Sequence, residues 1–343
     1  MPEDPSSPAE SGRPTVSRAA VLGLGIHVPP RLMTNDDVAR LVDTSDEWIV
    51  ERTGIRVRHI AAPHEAASDL ALPAAVAALE DAGVSAAEVD LVICATTMPD
   101  MLFPATACLL QHRLGAKRAG ATDVLAACSG FVYGLATGAA MIGAGVAEHV
   151  LVVGTEVLSK LVDWTDRTLC VLVGDGAGAV VLGPSRHGGG VLSAVLGADG
   201  SAADILKLPG GGSRLPYSHQ VIAQRLHYPR MDGRLLFKLA VRVVPEAIEA
   251  AVRRAGLALH DVDWIVPHQA NLRIIEAVAR AMHLPLERFI CTIERYGNTS
   301  AASVPISLWE ARRDGRLQEG DRVVLVAFGG GFTWGACALT WGP

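Results

Sequence analysis

The chain has 343 residues, of which 50% are hydrophobic and 19% are charged, and its formal net charge is −6. This composition can bury a large core and excludes a chain that is disordered throughout, while the negative charge excludes a general electrostatic surface for nucleic acid. No apolar run reaches the roughly 18–20 residues of a membrane span and the N-terminus does not resemble a secretory signal, so we predict a cytoplasmic protein with no membrane partner.

The N-terminal residues 1–18 are rich in proline, serine and charge, and we predict a disordered tail there. After this tail, strand-like and helix-like segments alternate, which predicts an α/β architecture with helices on both faces of the sheets. Six cysteines are scattered through apolar segments without a C-x-x-C pair. Their distribution indicates reduced thiols rather than disulfides or a zinc site.

A weak internal repeat relates two helix–strand units of the chain. Residues 74–93 align without a gap with residues 247–266. The same register aligns the strand-like segment 149–153 with 322–326. Units of helix, glycine and strand resemble one another in many α/β proteins, but agreement between two separate segments favours a duplication.

The repeat predicts two similar halves, 19–190 and 191–343, packed about a pseudo-twofold axis. In such folds a site is expected where strand ends of the two halves meet. The register of the repeat carries Cys128 to Ala301, close to Asn298. A duplicated fold would therefore bring the turns that contain Cys128 and Asn298 into one cleft.

Cys128 follows a strand-like segment and precedes a helix-like run, 129–145, that is small and apolar on every side. At the start of a buried helix, the positive end of the helix dipole would lower the pKa of the thiol and favour a nucleophilic thiolate. Taken alone, a cysteine in an alanine-rich segment is more often a small core residue. Its correspondence to the Asn298 segment favours the catalytic interpretation.

Two features of the second half also follow predicted strands. His268 comes after the strand-like segment 263–266, where it could act in catalysis or serve as a structural histidine. Three glycines at 329–331 could form a nest of N–H groups for an oxyanion, or a flexible turn. The glycine-rich segment 174–178 precedes a strand and lacks the G-x-G-x-x-G context, so it does not predict a nucleotide site.

Residues 19–343 resemble the β-ketoacyl-acyl-carrier-protein synthase III family, thiolase-fold condensing enzymes that start fatty-acid synthesis. The resemblance is carried by DTSDEWIVERTGIRVRHIAAP (43–63), AACSGF (126–131), GDGAGAVVL (174–182), VPHQANLRII (266–275), GNTSAASVP (297–305) and AFGGGFTWG (327–335). It implies a five-layered αβαβα thiolase-like fold made of two duplicated halves, and a homodimer.

The resemblance also implies the functional residues. The catalytic Cys–His–Asn triad falls on Cys128, His268 and Asn298, and the backbone N–H groups of Cys128 and Gly330 would form an oxyanion hole. The positions implied for binding coenzyme A near its adenine end are Trp48, Arg52, Arg167 and Asn271. The basic patch that meets the acidic acyl carrier protein is implied at Arg273 and Lys238. Phe103 matches a position that reaches the acyl pocket of the partner subunit, where a bulky ring would favour short primers.

The implied reaction is a decarboxylating Claisen condensation that uses coenzyme A thioesters as substrates and needs no metal or other cofactor. Cys128 would take an acyl group from acetyl-CoA or another short acyl-CoA. His268 and Asn298 would then donate hydrogen bonds to the thioester oxygen of malonyl-acyl carrier protein, so that loss of CO2 yields a stabilised enolate that attacks the acyl-Cys128. The product would be a 3-oxoacyl-acyl carrier protein.

Other functions of the same fold are alternatives to this reaction. A degradative thiolase uses a second cysteine as base, and the late candidate Cys337 lies in an apolar alternating strand that favours a core role. An acyltransferase or starter-unit enzyme of specialised, polyketide-type metabolism is the main alternative. A non-catalytic subunit that binds coenzyme A or carrier protein is the third, and retention of all three triad residues speaks against it.

Overall fold

The computed structural model describes residues 18–185 and 188–342, so the predicted tail lies outside the described residues except for Arg18. Within this part, the strands are β1 (Ala19–His27), β2 (Leu32–Thr34), β3 (Val57–His59), β4 (Leu91–Ala95), β5 (Gly120–Val124), β6 (Val150–Glu156), β7 (Gly176–Pro184), β8 (Gly190–Ala198), β9 (Leu206–Lys207), β10 (Arg230–Met231), β11 (Trp264–Pro267), β12 (Arg322–Gly329) and β13 (Thr333–Thr340). The α-helices are α1 (Asn35–Ala39), α2 (Asp46–Thr53), α3 (Ala67–Ala82), α4 (Thr106–Leu114), α5 (Gly130–Gly143), α6 (His219–Ala223), α7 (Gly233–Arg254), α8 (Leu272–Ala281), α9 (Ile293–Tyr296) and α10 (Ser303–Arg313).

Two main sheets have the same internal organisation. The first has the order β1-β7-β6-β4-β5 and the second has the order β8-β13-β12-β11. In the first sheet β1/β7 and β7/β6 are antiparallel and β6/β4 is parallel; in the second, β8/β13 and β13/β12 are antiparallel and β12/β11 is parallel. The matching order and direction confirm the duplication that the sequence repeat predicts. The boundary between 190 and 191 stays a prediction.

The duplication extends to backbone conformation. One short 3-10 turn, Ala127–Ser129, precedes α5, and another, Ser300–Ala302, precedes α10. Ala127 has φ of 46° and Ser300 has φ of 48°, left-handed values that residues other than glycine rarely adopt. The register of the sequence repeat carries one turn onto the other.

Five layers are stacked in the order helix, sheet, helix, sheet, helix. The central layer is α5 with α10, because residues of both helices share one hydrophobic cluster with strands of both sheets. Helices α3 and α4 cover the outer face of the first sheet, and α7 and α8 cover the outer face of the second. This arrangement confirms the predicted αβαβα thiolase-like fold.

Glycines permit the tightest contacts between layers. A methyl group added at Gly134 or Gly138 of α5 would lie 3.0 Å from a valine or leucine of the first sheet, which explains why this buried helix is built from small residues. Gly25 of β1 is packed against the backbone of α3, where an added methyl group would overlap the carbonyl oxygen of Ala74 and the amide of Ala78.

We expect Gly25→Ala to lower the free energy of unfolding by about 1–3 kcal/mol, because the added methyl group must push β1 away from α3. Chemical denaturation followed by circular dichroism measures the change. Gly200→Ala is the matched control, since a methyl group there meets no atom within 4 Å. Equal stability of Gly25→Ala and the wild type would contradict this account of the packing.

Candidate active site

Cys128 lies in the middle of the turn before α5, and the glycine turn after β12 is packed against it. A methyl group at Gly329 would lie 2.6 Å from the Cys128 amide nitrogen, so only glycine allows this approach. The Ser129 hydroxyl donates to the Ala126 carbonyl at 2.6 Å and lies 2.9 Å from the Thr333 hydroxyl. These contacts hold the predicted oxyanion segment next to the Cys128 turn.

The pKa of the Cys128 thiol is higher than the position of this residue before a helix predicts. Burial raises its pKa from 9.0 to about 12, the nearby Ser300 hydroxyl lowers it, and the charge of Glu156 raises it. A helix N-terminus is worth about 0.3–1 kcal/mol, less than one pKa unit, which is too little to offset such burial. The prediction of a lowered thiol pKa is therefore wrong, and Cys128 is a neutral thiol at neutral pH.

His268 follows β11 and is buried, with 2% of its surface exposed. Its backbone N–H donates to the Val326 carbonyl at 2.8 Å, and its Nδ1 lies 2.7 Å from the Ser303 hydroxyl oxygen. That oxygen also accepts the backbone N–H of Gln269 at 3.3 Å, which favours donation of its own hydrogen to Nδ1. In this tautomer Nε2 carries the proton and is the hydrogen-bond donor.

The imidazole of His268 is neutral, because burial lowers its pKa to about 3. Its ring packs edge-on against Phe328, with 5.6 Å between ring centroids. A neutral ring that donates from Nε2 can stabilise an oxyanion without carrying a charge of its own.

Asn298 is fixed on both its backbone and its side chain. Its N–H donates to the Leu172 carbonyl at 2.8 Å, and its carbonyl accepts from the Gly174 N–H at 2.9 Å. The side-chain Oδ1 accepts the Ser300 N–H at 2.9 Å, which leaves the two Nδ2 hydrogens for another partner. The glycine-rich segment 174–178 thus has a structural role, since its first residue is bonded to the Asn298 backbone.

All three candidate catalytic residues contact one short segment, residues 298–303. Asn298 begins it, the Ser300–Ala302 turn packs against the Ala127–Ser129 turn that holds Cys128, and Ser303 contacts His268. The two serines were not predicted from the sequence. The register of the repeat places Ser300 opposite Ala127 and could have identified it as part of the site.

The structure also brings together the residues expected to bind coenzyme A. The Arg52 and Arg167 guanidinium groups lie 5.8 and 5.3 Å from the centre of the Trp48 ring. Asn271 lies at the start of α8, where its side chain caps the helix by accepting the Arg273 N–H at 2.9 Å. Helix α8 packs against the end of α2, so the four positions share one side of the molecule.

The predicted carrier-protein residues, Arg273 and Lys238, are exposed on α8 and α7, two helices that pack against each other. Lys238 lies one turn from Arg234 and from Arg242, which are also at the surface of α7. Spacing of four residues places these three cations on one face of α7. The two additional arginines were not predicted, although the helical spacing in the sequence could have indicated them.

Phe103 is 84% exposed and forms an exposed apolar patch with its chain neighbours Met101 and Leu102, which are 47% and 81% exposed. The ring therefore does not line the interior of its own chain. Cys337 is fully buried in the core, with its sulfur 3.9 Å from the Val132 carbonyl. Such a setting fits the core role that the sequence favoured.

The described residues contain neither a cluster of metal ligands nor a helix that could span a membrane. Within 18–185 and 188–342, no group of three or more His, Cys, Asp or Glu side chains could hold a metal ion. In the same ranges, every helix is too short or too polar to cross a lipid bilayer.

The chain is similar to known proteins along most of its length. Family models described as 3-oxoacyl-[acyl-carrier-protein (ACP)] synthase III and its C-terminal part match residues 122–200 and 252–341. The β-ketoacyl-[acyl-carrier-protein] synthase III of Symbiobacterium thermophilum is 53% identical over 94% of this chain and 98% of its own length. The corresponding Thermus thermophilus structure has 49% identity and a TM-score of 0.88, and covers 94% of this chain and 99% of its own. The priming β-ketosynthase of the R1128 polyketide pathway has 38% identity and a TM-score of 0.88, with 96% and 98% covered.

We expect His268 to remain neutral, with its proton on Nε2, from about pH 5 to about pH 8, because burial prevents the ring from accepting a second proton. Nuclear magnetic resonance of isotope-labelled histidine measures both properties, and His268→Ala assigns the signal. In the unfolded chain His268 binds a second ring proton below its ordinary pKa of 6.5, whereas in the folded chain it stays neutral down to about pH 3. The free energy of unfolding should therefore fall as the pH is lowered from 6.5 to about 3. A ring that is charged at neutral pH would contradict the assignment.

Proposed function

The chain belongs to the β-ketoacyl-acyl-carrier-protein synthase III family, and from this membership we propose that it joins an acyl-CoA primer to malonyl-acyl carrier protein through Cys128, His268 and Asn298. It is an acyltransferase of the condensing type. The two synthase III relatives described above have identities of 53% and 49%, against 38% for the polyketide priming enzyme. This difference favours the initiation of fatty-acid synthesis over a starter-unit role in specialised metabolism.

In the first half-reaction, the Cys128 sulfur attacks the thioester carbonyl of the acyl-CoA and coenzyme A leaves. The tetrahedral oxyanion is stabilised by the backbone N–H groups of Cys128 and Gly330. The close packing of Gly329 against the Cys128 amide supports this assignment, because it brings the two backbone segments side by side. Fixed N–H donors of this kind need no rearrangement when the charge develops.

In the second half-reaction, malonyl-acyl carrier protein loses CO2 and its thioester oxygen becomes an enolate oxygen. His268 Nε2–H and Asn298 Nδ2–H donate hydrogen bonds to that oxygen, each worth about 3 kcal/mol in the transition state. The observation that carries the proposal is that residues 298–303 include Asn298, bond to the His268 ring through Ser303 and pack against the turn that holds Cys128. The carbanion comes from decarboxylation, so no base is required to form it, and neither a metal nor another cofactor is needed.

The binding sites follow the same assignment. Coenzyme A lies with its adenine end near Trp48, Arg52, Arg167 and Asn271. The carrier protein, which is acidic, meets the exposed cations Arg273 and Lys238, and the stripe on α7 supports this surface. The enzyme acts in the cytoplasm, and its two halves span 19–190 and 191–343.

The active enzyme is a homodimer in which Phe103 of one chain closes the acyl pocket of the other. The exposed apolar patch around Phe103 supports this arrangement, because a patch of large apolar side chains is costly to leave in water. A ring at that position shortens the pocket and favours acetyl or another short acyl group.

The triad assignment predicts different defects for its three members. Cys128→Ala should abolish acylation of the enzyme by acetyl-CoA, measured by intact-protein mass. His268→Ala and Asn298→Ala should still become acylated, but each should lower the condensation rate about 10²-fold or more, because one donor to the enolate is lost. Full condensation by Asn298→Ala would rule out its proposed role.

The partner-subunit assignment of Phe103 can be tested with mixed dimers of differently tagged chains. When Cys128→Ala and Phe103→Ala are in the same chain and the partner is wild type, the remaining active site lacks the ring that the other chain supplies. It should then accept longer acyl-CoAs, with selectivity changed about tenfold. When the two substitutions are in different chains, wild-type selectivity is expected. The opposite pattern would show that Phe103 acts on the pocket of its own chain.

A further inference from the structure

Arg58 is a fully buried arginine to which the proposed reaction assigns no role. It is the middle residue of β3 and is 0% exposed. Nη1 donates to the Asn35 Oδ1 at 2.7 Å and to the Met33 carbonyl at 3.4 Å, and Nη2 donates to the Val171 carbonyl at 2.7 Å. All three acceptors are neutral, and a guanidinium group stays charged, so its burial is costly for folding. An apolar side chain would fill the same space at a lower cost, but it could not bridge these separate segments of the chain.

The Val171 end of this bridge leads directly to Asn298. The carbonyl of the next residue, Leu172, accepts the Asn298 N–H at 2.8 Å, and the Gly174 N–H donates to the Asn298 carbonyl at 2.9 Å. Both backbone groups of the proposed enolate donor are therefore bonded to the segment 171–174. Arg58 holds the first residue of that segment.

The aliphatic stem of Arg58 also packs against the Asn298 turn. A methyl group added at Gly174 would lie 3.2 Å from the Arg58 Cβ, and one added at Gly297 would lie 3.3 Å from the same atom. Gly297 directly precedes Asn298 and has φ of 65°, a left-handed value. The stem therefore lies against both glycines, while the guanidinium group holds the carbonyl of Val171.

Asn35 anchors the other end of the bridge. It is 1% exposed, and its Nδ2 donates to the Asp46 Oδ1 at 2.7 Å and to the Ile55 carbonyl at 2.8 Å. Because both amide hydrogens are used in this way, the Asn35 Oδ1 faces Arg58 as an acceptor. Asp46 is the first residue of α2, the helix that carries Trp48. Arg58 thus connects the Asn298 turn to a fixed point beside α2.

We propose that Arg58 is a positioning residue for Asn298, and that by holding the Val171 carbonyl and Asn35 together it keeps the Asn298 amide aligned with the enolate oxygen. This inference rests on the proposed function. Asn298 acts as a hydrogen-bond donor, and a misplacement of about 1 Å in such a group can cost about 10²-fold in rate. The planar fork of an arginine can bond both acceptors at once, which a lysine cannot do.

The test compares Arg58→Met and Arg58→Lys with Arg254→Met, a control arginine at the end of α7 that donates to the Ala194 carbonyl at 2.8 Å. For each variant, intact-protein mass measures Cys128 acylation by acetyl-CoA, and CO2 release measures decarboxylation of malonyl-acyl carrier protein. Arg58→Met should lower decarboxylation about 10–10²-fold and leave acylation within about threefold of the wild type, because acylation does not use Asn298. Arg58→Lys keeps the charge and one donor, so its loss should be smaller. Arg254→Met should change neither rate.

A double-mutant cycle separates the positioning of Asn298 from a general loss of structure. In the Asn298→Ala background the donor is already absent, so adding Arg58→Met should lower decarboxylation by no more than about twofold. Decarboxylation by Arg58→Met at the wild-type rate would overturn the inference. Equal losses of acylation and decarboxylation, or losses that multiply in the double variant, would also overturn it.

The Asn298→Ala variant alone distinguishes failure of this inference from failure of the proposed function. If Asn298→Ala decarboxylates malonyl-acyl carrier protein at the wild-type rate, the proposed role of Asn298 is wrong, and the role of Arg58 is wrong with it. If Asn298→Ala is defective and Arg58→Met is not, the proposed function stands and only the role of Arg58 is wrong.

Discussion

The active site depends on two close contacts, in which strands β6 and β12 each pack against the turn before the central helix of the opposite half. Gly154 of β6 is packed against the Ala301 backbone, and Gly329 of β12 is packed against the backbone of Cys128. Any larger residue at either position would separate the two turns. Because both contacts involve rigid backbone rather than flexible side chains, the nucleophile and the 298–303 segment keep a fixed separation while substrates exchange.

Burial determines how this site can work. It holds His268 neutral, Cys128 protonated and Glu156 close to its point of titration at neutral pH. Hydrogen bonds to a developing oxyanion are stronger in such a medium than in water, which benefits the enolate. The same medium makes isolated charges costly.

The fold and the family could be predicted from the sequence more completely than the electrostatics of the site. The duplication followed from one repeated register, and the family resemblance supplied His268, whose counterpart in the first half is an alanine. The lowered thiol pKa was wrong because a helix terminus can be recognised in a sequence, whereas the depth of burial depends on every layer around it. The hydrogen bond between Glu156 and Ser300 was not predicted, because 144 residues separate the two positions and no local pattern relates them. The role of Phe103 stays a prediction, because it depends on a second subunit.

The duplicated register also explains how a symmetric fold gives an asymmetric site. The repeat makes Glu156 equivalent to Gly329 and Ala127 equivalent to Ser300. Each strand end contacts the turn of the opposite half: Glu156 bonds to Ser300, and Gly329 lies against Ala127 and Cys128. On one side of the axis the pair is a buried acid and a hydroxyl, joined by a hydrogen bond. On the other side it is two small residues, which allow backbone N–H groups to approach the reacting carbonyl. One contact, duplicated and then changed at two positions, thus provides a buried hydrogen-bonded pair on one side and the space for the oxyanion hole on the other.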